Sequence, residues 1–202
     1  RPVGYMFVVS MPTVDPPKSK RDELLEIASR LFYEQGYHRT GVKQIIDEAG
    51  IAKGTFYSHF KSKEALAVAW LKARHHTWNT WMIDFLAEKG GSPADRLLAA
   101  FDFLENWMQS CNYRGCAFVN TLTETPEEDS PLRTEIENHK RDLLALIRGL
   151  VAAHFSNESE DEITQIARTI YVLFEGSLIE LQNFREVWPV QAAREQVKRL
   201  LK

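Results

Sequence analysis

The chain has 202 residues, 44% hydrophobic and 26% charged, with a formal net charge of −3, which suits a globular protein of one or two domains with a substantial core. No apolar run approaches the roughly 18 residues that read as a membrane span. Its two cysteines, Cys111 and Cys116, are too few for a disulfide scaffold or a four-ligand zinc site. The expected compartment is therefore a reducing cytoplasm, and no metal, cofactor or membrane partner is expected.

Residues 1–17 carry Pro2, Pro12, Pro16 and Pro17 and are expected to form an irregular tail. The opening RPVGYMFVVS lacks a convincing cleavage site and is not read as a signal peptide; with Met11 heading a more ordinary start, part of it is expected to be foreign to the native chain. Leu24, Ile27, Ala28, Leu31 and Phe32 then repeat at helical spacing, which predicts a helix over 19–35 closed by Gly36. Val42, Ile45, Ile46 and Ala49 predict a short second helix capped by Thr40 and ended by Gly50. A third short segment, 54–60, places Phe56 and Phe60 inward and Tyr57 outward.

A long helix is expected from the cap Ser62 to Gly90, and another from Ser92 and Pro93, with Leu97, Phe101, Leu104 and Met108 on its inner face. After a cysteine-bearing loop comes a short apolar piece, 117–123, then Pro126 and the acidic run Glu127, Glu128 and Asp129, which read as a solvated turn. Helices resume over about 130–155, 160–185 and 189–201. The fold class is all-α: three short helices in front (a domain over 18–64) and a bundle of longer ones behind (65–202).

Residues 17–63 hold nine Lys or Arg against six Asp or Glu, so the positive end lies where the helices are shortest, as a nucleic-acid-binding head on an acidic body requires. The second and third helices, joined through Gly50, have the layout of a helix-turn-helix. The stretch RDELLEIASRLFYEQGYHRTGVKQIIDEAGIAKGTFYSHFKSKEAL resembles the DNA-binding head of the TetR family of transcriptional regulators. The pieces LF…GY..T, AG, KGTFY.HF and SKE.L occur in order at family spacing over about residues 20–66, while the rear two-thirds agrees in helical layout. The resemblance implies a repressor, double-stranded operator DNA as partner, a small-molecule inducer of unknown identity and a homodimer.

Physical roles follow for individual residues. Thr40 is expected to cap the second helix and offer its hydroxyl to a phosphate. Lys53, Tyr57 and Lys61 suit backbone contacts. Gly54 and Thr55 open the third helix with little bulk, so Thr55, with His59 one turn on, is expected at base edges or phosphates; Lys43 and Gln44 assist. Gly41 removes one phosphate donor that many relatives carry there.

In the rear part, large side chains recur at inward positions and suggest a roomy aromatic pocket, with plain core filling as the competing reading. Candidate lining residues are Trp78, Trp81, Met82, Phe85, Phe103, Trp107, Phe118, Tyr171 and Phe174, with Asn120 or Glu175 as polar anchor; the resemblance places such a pocket between the fourth and eighth helices. The helix over 160–185 is apolar on more than one face, which predicts a second helical partner. Ile170, Gly176, Ser177 and Leu181, with Val197 and Leu200 of the last helix, are the expected dimer interface.

Cys116, close to Arg114 and a helix start, gives a second functional reading, a thiol-based redox or electrophile sensor acting through Cys116 or Cys111, against that of a small core hydrophobe. An enzyme and a helical binding module without DNA activity are the competitors of other classes. No nucleophile elbow or metalloprotease motif occurs, and His75 and His76 point about 100° apart, so no catalysis is expected.

Overall fold

The computed structural model describes residues 19–125 and 130–202; the expected tail over 1–17 and the acidic turn over 126–129 lie outside the described residues. Among them the order is α1 (Lys20–Gln35), α2 (Val42–Ala49), α3 (Lys53–His59), α4 (Lys63–Lys89), α5 (Pro93–Ser110), α6 (Ala117–Glu124), α7 (Pro131–His154), α8 (Glu160–Phe184) and α9 (Trp188–Leu200), with no strand. No described helix is long and apolar enough to cross a membrane.

The helix starts follow from hydroxyl caps. Ser19, Ser62, Ser92 and Ser159 each accept a backbone N–H of the first turn, and Ser92 with Asp95 and Ser159 with Glu162 form reciprocal capping boxes. Gly50 ends α2 in the left-handed conformation at φ 59°, which turns the chain sharply into α3.

Helix α4 serves both parts of the molecule. Its first half packs against α1, where the Phe32 and Trp70 rings lie 5.3 Å apart. Its second half packs against α5 and α7. Helix α7 also meets α6 and α8, and α9 closes over α5 and α8.

Where the sequence suggests a roomy aromatic pocket, the rings fill one another's space. Trp78 lies edge-on to Phe103 and Trp107 at 5.4 and 5.7 Å, Trp81 and Phe85 meet Phe103 at 4.8 and 5.6 Å, and Phe101 meets Phe174 at 5.6 Å. These edge-to-face contacts are the arrangement aromatic quadrupoles prefer, and the core-filling reading applies to most of the set.

The expected dimer residues also need correction. Ile170, Ser177, Leu181 and Val197 are buried within the single chain, because α8 and α9 pack on each other and on the bundle through exactly that row. Gly176 and Leu200 stay at the surface. The large apolar side chains left exposed on these helices are Val172, Phe184, Trp188 and Leu200, with the Phe184 and Trp188 rings 5.3 Å apart.

Candidate nucleic-acid interface and sensor core

Helix α3 stands on the head with Phe56 and Phe60 buried beneath it. That anchoring leaves Lys53, Gly54, Tyr57, His59 and Lys61 exposed, and Thr55 half-buried. Tyr57 is 46% exposed; its ring stands edge-on to Phe56 at 5.1 Å, with the Lys53 ammonium 6.0 Å from its centroid. A Cβ at Gly54 would meet nothing within 4 Å, so the missing side chain serves no packing inside the head. Arg21, which sequence reasoning passed over, lies with its guanidinium 5.2 Å from the Phe60 ring and adds a cation from α1.

The α2 candidates are held by acidic neighbours. The Lys43 ammonium donates to Asp47 at 2.5 Å, Gln44 donates to Glu48 at 3.3 Å, and Arg30 of α1 bonds Glu48 as well.

Thr40 does not cap α2. The helix begins one residue later, with Gly41 as N-cap and no side-chain bond, and the fully buried Thr40 hydroxyl donates to the Gly36 carbonyl at 2.8 Å. Its hydroxyl is turned inward and holds the α1–α2 loop rather than a phosphate. Thr40→Val is therefore expected to lower stability by about 1 kcal/mol without changing the salt dependence of DNA binding, measured by thermal melting beside a salt titration.

Beyond the packing of α4, the head is joined to the body by polar and cation–ring contacts, some of them made by α4 side chains. The Tyr33 hydroxyl donates to the Gly115 carbonyl at 2.9 Å, the Arg114 Nε donates to the Tyr33 carbonyl at 3.0 Å, and the Arg74 guanidinium sits 3.9 Å over the Tyr33 ring. Burial pushes the Tyr33 phenol pKa upward, so it remains a donor. Asn120 and Gln182 both donate to the Arg114 carbonyl at 3.1 Å, which assigns Asn120 to this joint and not to a pocket. The His38 N–H donates to Glu124 at 2.7 Å, and Lys63 donates to the Tyr37 carbonyl at 3.1 Å. These pairs lie up to 86 positions apart in the chain, and no local pattern announces them.

Of the expected pocket residues, Trp78 and Met82 line a cleft of about 220 Å³ between α4 and α7, with Asn79, Ile83, Asp142, Leu143 and Leu146. Phe103, Trp107, Phe118 and Phe174 are buried in the core, and Trp81, Phe85 and Tyr171 are partly buried against it. Glu175 is no free anchor: both its oxygens accept from the Lys140 ammonium, at 2.7 and 2.6 Å. Burial opposes the Lys140 charge, yet the Cys116 sulfur and the Glu175 carboxylate outweigh it and raise the lysine's pKa.

Cys116 is buried, with its sulfur 3.9 Å from Lys140. Arg114, expected to activate this thiol, instead turns its guanidinium to Tyr33. Cys111 is half-buried and lies 3.5 Å from the Met108 carbonyl.

His139, absent from the sequence-based set, is stacked on Phe118 at 3.8 Å and 11°. Burial, reinforced by Lys140, His75 and Arg74, lowers its pKa to about 2. The imidazole is thus neutral when folded, whereas the unfolded chain takes up its proton below about pH 6.5. Below that pH the unfolded state binds more protons, so stability falls as pH drops, with a contribution approaching about 1.4 kcal/mol per pH unit. His139→Phe is expected to flatten this slope in melts between pH 4.5 and 7.

The pattern described as "Bacterial regulatory proteins, tetR family" matches residues 24–70, and "Tetracyclin repressor-like, C-terminal domain" matches residues 93–197. The HTH-type transcriptional repressor NemR of Escherichia coli (strain K12) is 25% identical over 185 residues, 90% of this chain and 93% of NemR. The HTH-type transcriptional repressor KstR2 of Mycolicibacterium smegmatis is 33% identical over 105 residues, 46% of this chain and 47% of that protein. The crystal structure of a TetR-family transcriptional regulator from Streptomyces coelicolor superposes with a TM-score of 0.81 at 22% identity, covering 92% of this chain and 90% of the other, which shows a shared fold.

Proposed function

The chain belongs to the TetR family of bacterial regulatory proteins, and we propose that, as a DNA-binding transcriptional regulator, it is a repressor that leaves a palindromic operator when a small molecule enters the rear domain. The observation that carries this reading is α3 and the turn after it, where Lys53, Tyr57, His59 and Lys61 stand exposed around two buried phenylalanines. In this reading residues 18–64 form the DNA-binding domain and 65–202 the ligand-binding and dimerisation domain. Thr55 and His59 read base edges, Lys53, Tyr57 and Lys61 set register on phosphates, and the protein works on chromosomal DNA in the cytoplasm.

The ties of Tyr33 to Gly115 and of His38 to Glu124 supply the coupling: a ligand that displaces α6 or the loop before it repositions α1 and with it the head. Recovery of genomic DNA fragments on the purified protein at about 0.15 M salt, where nonspecific phosphate binding is weakened, is expected to enrich a short palindrome. Uniform recovery overturns the reading.

Two heads are brought to two half-sites by a homodimer. Val172, Phe184 and Trp188 supply the exposed apolar face of α8 and α9 for it, with Gly176 admitting close approach of the second copy. Phe184→Ser with Trp188→Ser is expected to shift the protein from dimer to monomer in sedimentation at micromolar concentration, with the fold retained by circular dichroism.

A further inference from the structure

At and behind the cleft between α4 and α7 lie two buried polar atoms without partners. Trp78, 8% exposed, lines the cleft, and its indole N–H has no hydrogen-bond acceptor; His139, 2% exposed, has an unpartnered Nδ1. The two rings meet edge-on at 5.1 Å. His139 precedes Asp142, Leu143 and Leu146 of the cleft by three, four and seven positions, so it lies on the same side of α7 as those lining residues, one turn along the helix from them. Buried polar groups are nearly always satisfied, and an orphan beside a void calls for an occupant.

The surroundings define that occupant. Lys140 is held by Glu175, so no free cation faces an anionic ligand, and the largely exposed Asp142 carboxylate, 3.0 Å from His75, repels one further. His139 stays neutral for the reason given above. Apart from the Asn79 amide, the remaining wall is apolar: Met82, Ile83, Leu143 and Leu146. A cavity of about 150 Å³ is enough for benzene, so about 220 Å³ fits one ring with a small substituent.

We propose that the α4–α7 cleft binds an uncharged, single-ring organic molecule bearing an acceptor oxygen, which takes the Trp78 indole N–H as its hydrogen-bond donor and has His139 Nδ1 as a second contact. The inference rests on the reading of the rear domain as a ligand sensor and gives its ligand a chemical class. Occupation of the cleft presses on the Phe118–His139 stack, and Phe118 belongs to α6, the helix whose Glu124 holds the head at His38.

The test uses the ¹⁵N-labelled full chain and three probes at about 1 mM: acetophenone, with the acceptor oxygen; ethylbenzene, of similar shape without it; and benzoate, which adds a charge. The chain has five tryptophans, and Trp78→Phe identifies the indole signal concerned. Acetophenone is expected to move that proton signal downfield, and to bind about five- to tenfold more tightly than ethylbenzene does or than it binds Trp78→Phe. Ethylbenzene binding as tightly, benzoate binding more tightly, or acetophenone leaving the Trp78 indole signal unmoved each overturns the proposal. A failure of the genomic DNA selection strikes the repressor reading and leaves these spectra unaffected, so the two are distinguishable.

Discussion

With Lys53, Tyr57 and Lys61 replaced by Gln, Phe and Gln, operator affinity at about 0.15 M salt is expected to fall at least 100-fold, while the melting temperature changes little. The three side chains are exposed on α3 and along the turn after it, where substitutions usually alter stability by under about 0.5 kcal/mol. Each lost lysine–phosphate contact flattens the slope of log K against log salt by about 0.9, so two lysines per head in a dimer remove a slope of about 3 to 4. Thr55→Ala or His59→Ala is distinguishable from this. Loss of a base contact reorders the preferred sequences, whereas loss of a phosphate contact weakens all of them alike. Unchanged affinity in the triple variant removes α3 from the interface.

The second large effect concerns the ion pair between Lys140 and Glu175, whose side chains are both 19% exposed at a separation of 2.6 Å. Glu175→Gln leaves the ammonium in a mostly desolvated place, with the Cys116 sulfur and the Tyr171 phenol near it and no carboxylate to balance its charge. Removing one member of such a pair costs about 3 kcal/mol, which in a chain of this size lowers the melting temperature by roughly 6–12 °C. Replacing both partners with apolar residues, Lys140→Met with Glu175→Leu, is expected to recover most of that loss, since it abolishes the desolvation penalty together with the attraction. A melting temperature unchanged in Glu175→Gln assigns the pair no weight in the fold.

The helices were legible because their signals are local. Ser62, Ser92 and Ser159 carry the hydroxyls that satisfy first-turn N–H groups, and Gly36, Gly50 and Gly90 take the positive φ that ends a helix. Phe56 and Phe60 against Tyr57 read correctly for the same reason: period alone separates inner from outer faces on a short helix. Thr40 misled because Gly41 intervenes, which carries the start of α2 one residue past the hydroxyl.

Helix α8 defeated periodicity in another way. A helix apolar on two sides gives no indication of which side meets its own bundle, and Ile170, Ser177 and Leu181 went inward, leaving Val172 outside. A list of aromatic residues likewise counts rings and says nothing of the voids between them. The pairings of Lys140 with Glu175 and Tyr33 with Gly115 depend on helices meeting in three dimensions, 35 and 82 positions apart.

Gly115 sets a limit on how this molecule can diversify. Its φ is 86°, and a Cβ there would collide with the Gln182 amide, which bonds the Arg114 carbonyl. Any side chain at that position, down to the methyl of alanine, puts backbone strain and a steric clash into the same joint. The rim of the α4–α7 cleft has no such constraint, because Ile83 and Asn79 there are open to solvent in part. If the cleft binds a ligand as proposed, descendants of this sequence are free to exchange one ligand for another by drift at the rim, while the joint proposed to report occupancy to the head tolerates far less change.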